Sequence, residues 1–269
     1  MKNFPDAEAA SLKSCAIALA EAARPRTLEH FRSAGLSAEN KLKDSFDPVT
    51  VADRAAEKAM RDVLAELRPD DAIFGEEFGR KEGTSGLTWV LDPIDGTRSY
   101  ISGTPTWGVL IAVGDENGPA LGIIDQPYIG ERFFGGFGEA FCDGPLGVRA
   151  LKTSDISDLS EATLFTTFPE VGTEAERQGF EAVRDQVQLT RYGTDCYAYA
   201  LVAAGQVELV IEAGLNAYDV QGPIAVIEAA GGVVTNWQGD PAHEGGQILA
   251  AASAEIHAKA LALLKPFAG

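Results

Sequence analysis

Thr88-Trp89-Val90-Leu91-Asp92-Pro93-Ile94-Asp95-Gly96-Thr97 is the stretch on which the reading of this chain turns. Its first four residues form an apolar, β-favouring run that predicts a buried strand. The strand delivers one carboxylate, Asp92. Pro93 stiffens the turn that follows, and Asp95 arrives on its far side, with the Ile94 carbonyl free to point inward between them. Gly96 and Thr97 then open a turn whose backbone N–H groups could meet a phosphate. Two carboxylates, a carbonyl and a hydroxyl thus fall within six residues, the all-oxygen donor set that a hard cation such as Mg²⁺ prefers. The competing reading is an Asp-capped turn between strand and helix.

Working outward, three more acidic positions fit the same chemistry. Glu76, beside Glu77, follows the short strand predicted at 72–75. Asp53 follows Thr50-Val51-Ala52 at the start of a helix predicted over 53–67. Asp219 follows Tyr218 at the start of a helix that runs to the Gly231-Gly232 pair. Each has a plain alternative: a solvated acidic turn for Glu76 and Glu77, a helix cap for Asp53 and Asp219.

The remaining pattern predicts a mixed α/β fold in layers. A long helix spans about 6–33 and is ended by Gly35. Strands follow near 107–113, 120–125 and 131–137, with Gly135-Gly136-Phe137-Gly138 as a strand end or hairpin turn. A turn-rich segment over 143–160 marks a boundary between an N-terminal lobe, 1–148, and a C-terminal lobe, 149–269. Beyond it strands and helices alternate: 162–167, 173–185, 188–192, 195–204, 209–211, 220–230, 232–235 and 253–264.

Composition narrows the function. The 269 residues carry 40 acidic and 22 basic side chains, a formal net charge of −18. Such a field repels nucleic acid and anionic membranes, so an anionic substrate needs local cations. The three cysteines, Cys15, Cys142 and Cys196, are far apart and lack CxxC spacing, against both a disulfide framework and a zinc site. With no apolar leader and no apolar stretch of membrane-spanning length, the expected compartment is the cytoplasm. His30, His243 and His257 lie outside every acidic motif, there is no P-loop, and no Ser or Cys is paired with a base. Mechanisms through phospho-histidine, a P-loop lysine or a Ser or Cys nucleophile therefore have no candidate.

The segments GEEFG (75–79), WVLDPIDGTRSY (89–100), AYDVQGPIAVIEAAGG (217–232) and VTVADR (49–54) resemble the inositol monophosphatase family along nearly the whole chain. The resemblance implies the layered α-β-α-β-α sandwich of the inositol monophosphatase and fructose-bisphosphatase type. It implies two or three Mg²⁺ ions: a first held by Glu76, Asp92 and the Ile94 carbonyl, a second by Asp92, Asp95 and Asp219, a weaker third near Glu76. Asp53 and Thr97 would orient water, and Gly96 and Thr97 would bind phosphate. Tyr218 stands where many members have Trp. The resemblance further implies a homodimer and inhibition by Li⁺.

Arg98-Ser99-Tyr100, Pro105-Thr106-Trp107-Gly108 and Asp195-Cys196-Tyr197-Ala198-Tyr199 are most similar to the histidinol-phosphate phosphatase branch. On that reading Asp195 and Glu212, with Asp95 and Asp219, contact a substrate bearing a cationic group; the alternative for Asp195 is a helix N-cap. Asn216, Gln221 and Gly222 depart from that branch. Inositol monophosphate and a 3′-phosphonucleotide stay as alternative substrates. A regulatory binding protein on a relic phosphatase fold is the non-enzymatic alternative.

Overall fold

The computed structural model describes residues 4–33, 39–40, 48–168 and 170–269. Helices α1 (Asp6–His30) and α2 (Val51–Leu67) pair with each other, and the two-residue strands β1 (Glu39–Asn40) and β2 (Pro48–Val49) lie between them in sequence. On α2 the buried positions Ala56, Met60 and Leu64 recur at helical spacing and face α1. Gly35, expected to end the first helix, lies outside the described residues.

An eight-stranded sheet follows. It comprises β3 (Ala72–Gly75), β4 (Gly79–Lys81), β5 (Thr88–Asp95), β6 (Gly108–Asp115), β7 (Gly118–Gln126), β8 (Glu131–Gly136), β9 (Glu139–Gly144) and β10 (Gly147–Ala150), in the order β10-β9-β8-β7-β6-β5-β3-β4. The short helix α3 (Thr97–Ser102) leaves the end of β5. Gly135–Gly138 includes the hairpin turn between β8 and β9, with Phe137 and Gly138 both at positive φ, 52° and 79°. The segment read as turns over 143–160 instead carries β10, an added hairpin strand at the sheet edge.

The second sheet has five strands, β11 (Thr163–Thr166), β12 (Leu189–Tyr192), β13 (Leu209–Asn216), β14 (Val233–Thr235) and β15 (Gly245–Ala251), in the order β12-β11-β13-β15-β14. Helices α4 (Glu174–Arg184) and α7 (Ala254–Leu264) cover its outer face, where Phe180, Val183, Trp237, Ile256 and Leu264 form one core. Helices α5 (Asp195–Ala203) and α6 (Ala217–Ala229) lie between the two sheets. Their core joins Val202, Val220 and Val226 to Ile124 and Phe133 of the first sheet and to Val210 and Ile248 of the second. A third core packs Leu12, Leu19, Met60 and Leu64 against Trp89, Val113 and Ile123. The layer order is therefore helices, sheet, helices, sheet, helices, as the resemblance implied. All three cysteines are buried and free, and among the described residues no helix is long and apolar enough to cross a membrane.

Two sequence expectations need correction. The strand expected over 209–211 runs on to Asn216, so the following helix begins at Ala217 and not at Val220. Residues 245–251, to which the sequence pattern assigns no element, form β15, which pairs with β13 and β14 in the interior of the sheet. Tertiary pairing overrides the weak β-propensity of its Gly and Ala residues there.

Candidate active site

Asp92 and Asp95 are three residues apart, so in a regular strand their side chains would point to opposite faces. The register of β5 against β6 shifts between them: Asp92 pairs with Leu110 and Asp95 with Gly108. One extra residue is thus accommodated in β5, a bulge that turns both carboxylates to one side. Pro93, which cannot donate to a strand ladder, sits inside the bulge, where that donor is not required.

Asp219 joins them from α6. One carboxylate oxygen from each of Asp92, Asp95 and Asp219 comes within 4.8 Å of the other two. Each carboxylate is also gripped by one backbone amide. Ile94 N donates to Asp92 Oδ1 (3.0 Å), Cys196 N to Asp95 Oδ2 (2.7 Å) and Asn216 N to Asp219 Oδ2 (2.6 Å). Burial pushes Asp92 well above the usual carboxylate range, and the charges of Glu76, Asp95 and Asp219 push it further. Burial, then Asp219 and Asp195, does the same to Asp95. Like charges held this close in a dry site need protons or a cation between them. A carboxylate-only trio with adjacent main-chain oxygen suits a hard divalent cation.

Glu76, Asp92, Ile94, Asp95, Gly96, Thr97, Asp195, Glu212 and Asp219 all line one cavity of about 420 Å³. Asp53 does not line it. It lies one layer behind, accepting from Thr50 N (2.8 Å) and Thr50 Oγ1 (2.5 Å) through Oδ2, and from Thr97 Oγ1 (3.4 Å) through Oδ1. The Thr97 hydroxyl also reaches the Ile94 carbonyl at 3.1 Å. Burial, opposed by the Thr50 hydrogen bonds, raises Asp53 to about 6. The N-caps are in fact Thr50 and Asn216, and Asp53 and Asp219 are the N3 members of capping boxes. The same two capping side chains thus stand on the cavity wall (Asp219) and behind it (Asp53).

Asp195 is not a cap either. Thr194 occupies the N-cap position and Asp195 is the first residue of α5, at φ 45°. Its Oδ2 accepts from Ser99 Oγ (2.5 Å) and Thr106 Oγ1 (2.8 Å). The carboxyl carbon lies against Gly96, where a Cβ would meet it at 2.6 Å, so any larger residue at 96 would clash with the Asp195 side chain. Glu212, deeply buried, receives Thr167 N at Oε1 (2.7 Å) and Thr166 Oγ1 at Oε2 (3.0 Å), and burial raises it to about 7. Sequence reasoning passed over Tyr199. Its ring is 4% exposed on the cavity wall, and its hydroxyl has no hydrogen-bond partner among the described residues. Burial holds it protonated, and the neighbouring Glu212, Asp95 and Asp219 reinforce this.

Residues 8–266 match the sequence profile of the inositol monophosphatase family. The chain belongs to that family. It is 42% identical over 234 residues to the bifunctional phosphatase IMPL2, chloroplastic, of Arabidopsis thaliana, covering 83% of this chain and 67% of that protein. It is 35% identical over 226 residues to the histidinol-phosphatase of Chlorobaculum parvum, covering 83% and 85%. An inositol monophosphatase from Zymomonas mobilis superposes with a TM-score of 0.84 at 35% identity, over 97% of this chain and 100% of that one. This inositol monophosphatase family member is a phosphatase acting on phosphoric monoesters; the family is metal-dependent, and the acidic cluster of this chain could hold a metal ion.

Proposed function

We propose that the chain hydrolyses histidinol phosphate to histidinol and phosphate with Mg²⁺. Glu76, Asp92, Asp95, Asp219 and the Ile94 carbonyl would hold two or three ions. Bound there, the cations supply positive charge to the phosphoryl oxygens and a more acidic water. The protein's share is positioning. Gly96, in the left-handed conformation, opens α3 with no side chain capping its N-terminus, leaving the amides of Gly96 and Thr97 to meet the phosphate. The Thr97 hydroxyl, held between the Ile94 carbonyl and Asp53, orients the attacking water. Asp53 acts through Thr97, from behind the cavity wall.

The observation that carries the substrate choice is the charge lining the cavity. Among the described residues, Glu76, Asp92, Asp95, Asp195, Glu212 and Asp219 line the cavity with one guanidinium, that of Arg98. Even after the metal ligands are set aside, Asp195 and Glu212 remain beside the space for the alcohol part of the ester. An ammonium or imidazolium group there satisfies them, whereas a second phosphate would meet repulsion. The similarity to a histidinol-phosphatase supports the same choice. A homodimer in the cytoplasm, inhibited by Li⁺, belongs to this reading.

Inositol monophosphate is the second reading. Asp195 already accepts two protein hydroxyls on one oxygen, which suits a neutral polyol as well as a cation, and the Zymomonas mobilis enzyme is named for that activity. Phosphate release from histidinol phosphate, inositol monophosphate, a 3′-phosphonucleotide and a sugar bisphosphate separates them. The expected result is a clear preference for histidinol phosphate, abolished by EDTA and restored by Mg²⁺. Preference for inositol monophosphate would replace the substrate, and undiminished turnover in EDTA would remove the metal mechanism.

A further inference from the structure

Asp53, Glu57, Met60 and Leu64 share the buried face of α2. Glu57 is a charged residue in that stripe and is fully buried, at 0% exposure. A carboxylate in such a place is costly unless every lone pair is used. Arg61, one helical turn on, donates Nε to Glu57 Oε1 at 2.7 Å. The other partners come from the turn that links β3 to β4. Glu77 N donates to Oε2 at 2.7 Å and Phe78 N to Oε1 at 3.2 Å. Arg61 Nη2 donates to the Gly79 carbonyl of the same turn, and its guanidinium lies 5.8 Å from the centre of the Phe78 ring. The carboxylate sits so close to the chain that a Cβ on Gly75 would lie 2.0 Å from Oε1, which explains the first glycine of Gly75-Glu76-Glu77-Phe78-Gly79.

Glu76 is the residue of this turn that lines the cavity. Its own amide donates to the Leu91 carbonyl at 3.1 Å, on the β5 side. The next amide, that of Glu77, is the one held by Glu57. The peptide units flanking Glu76 are therefore fixed from two directions, by the strand that carries Asp92 and by the helix that carries Asp53.

We propose that Glu57, backed by Arg61, is a positioning residue for Glu76: by holding the amides of Glu77 and Phe78 it aims the Glu76 carboxylate at Asp92 and so sets the affinity of the metal site. This rests on Glu76 acting as a metal ligand. A buried acid serving only stability would leave metal affinity alone.

Full-length, metal-free protein titrated with Mg²⁺ alone by isothermal calorimetry, without substrate, separates the two. Glu57→Gln keeps the shape but loses one acceptor, and Mg²⁺ binding should weaken about tenfold or more, the usual effect of removing a group that orients a metal ligand. In phosphate release the variant should need more Mg²⁺ for half-activation, while the substrate KM at saturating Mg²⁺ stays within about twofold, because the substrate contacts are intact. Should Glu57→Gln not fold, Glu57→Asp keeps the charge near Arg61 but is one methylene short of the Glu77 amide, and the same weakening is expected. Wild-type Mg²⁺ affinity in either folded variant, even with a lowered Tm, overturns the proposal. If the wild-type chain takes up no Mg²⁺, the metal reading and this proposal fall together. If it binds Mg²⁺ and releases no phosphate from histidinol phosphate, only the substrate reading falls.

Discussion

The two ends of the cavity use carboxylates in opposite ways. At one end Asp92, Asp95 and Asp219 turn oxygens toward one another, each accepting from a backbone amide, with Asn216 Nδ2 also 3.4 Å from Asp219 Oδ2. At the other, Glu212 has both oxygens engaged by Thr166 and Thr167, and Asp195 is docked on Ser99 and Thr106. The first arrangement leaves mutual repulsion for a bound cation to relieve. The second is held in place by protein donors and offers a preorganised surface whose charge a substrate can complete. On the proposed function, one end would need metal and the other would choose a partner for the phosphate.

The sharpest way to break this contrast is to neutralise one carboxylate at the crowded end. Asp92→Asn should lower kcat for phosphate release by roughly three orders of magnitude or more at saturating Mg²⁺, with circular dichroism showing an intact fold. Near-normal turnover would mean that Asp92 is only a turn former.

Changes at the other end should act on choice instead. Asp195→Ala should lower kcat/KM for histidinol phosphate roughly 10–100-fold, the range for losing a hydrogen bond to a charged group, and affect inositol monophosphate much less. Equal losses on both substrates would confine Asp195 to holding α5 on α3. Tyr199→Phe removes one hydroxyl from the wall and should cost a smaller factor, about 3–10-fold, in the same substrate comparison. No change in either substrate would mean that the hydroxyl faces no ligand.

The smallest effect is on stability. Burial favours the uncharged acid at Glu212, so between its ordinary value of 4.5 and about 7 the folded chain keeps a proton that the unfolded chain has lost. Stability therefore falls as pH rises through that window and levels off above it. Glu212→Gln removes this titration. The drop in Tm between pH 5 and pH 8 should shrink in the variant, with each kcal/mol worth roughly 2–4 °C in a chain of this size. Parallel pH profiles would place the proton elsewhere.

How far the sequence could be read follows the same physics. Asp92 and Asp95 were legible because two acids around a proline at the mouth of an apolar strand have few other uses, although the bulge that aligns them was not foreseen. Asp53 and Asp219 were ambiguous for a real reason, since each closes a capping box while lying behind or on the cavity wall. Glu57 gave almost no signal: within Ala55-Ala56-Glu57-Lys58 it looks like any solvent-facing helix charge, and only its four-residue spacing from Asp53 hints at the buried face. Residues Gly245–Ala251 drew no assignment because small residues carry little strand signal, yet they pair on both sides within the second sheet. Tyr199 was hidden in an apolar helix, where an aromatic is ordinarily core.

Helix α6 belongs to both sheets, and that has a consequence for how the chain is made. The eight strands of the first sheet are complete by Ala150, while the helix that covers their inner face begins at Ala217. At translation rates of ~5–20 residues per second, the 66 intervening residues take roughly 3–13 s to emerge. For that interval the newborn half-protein shows its stickiest face to the cell, and it is then that chaperones have their opportunity.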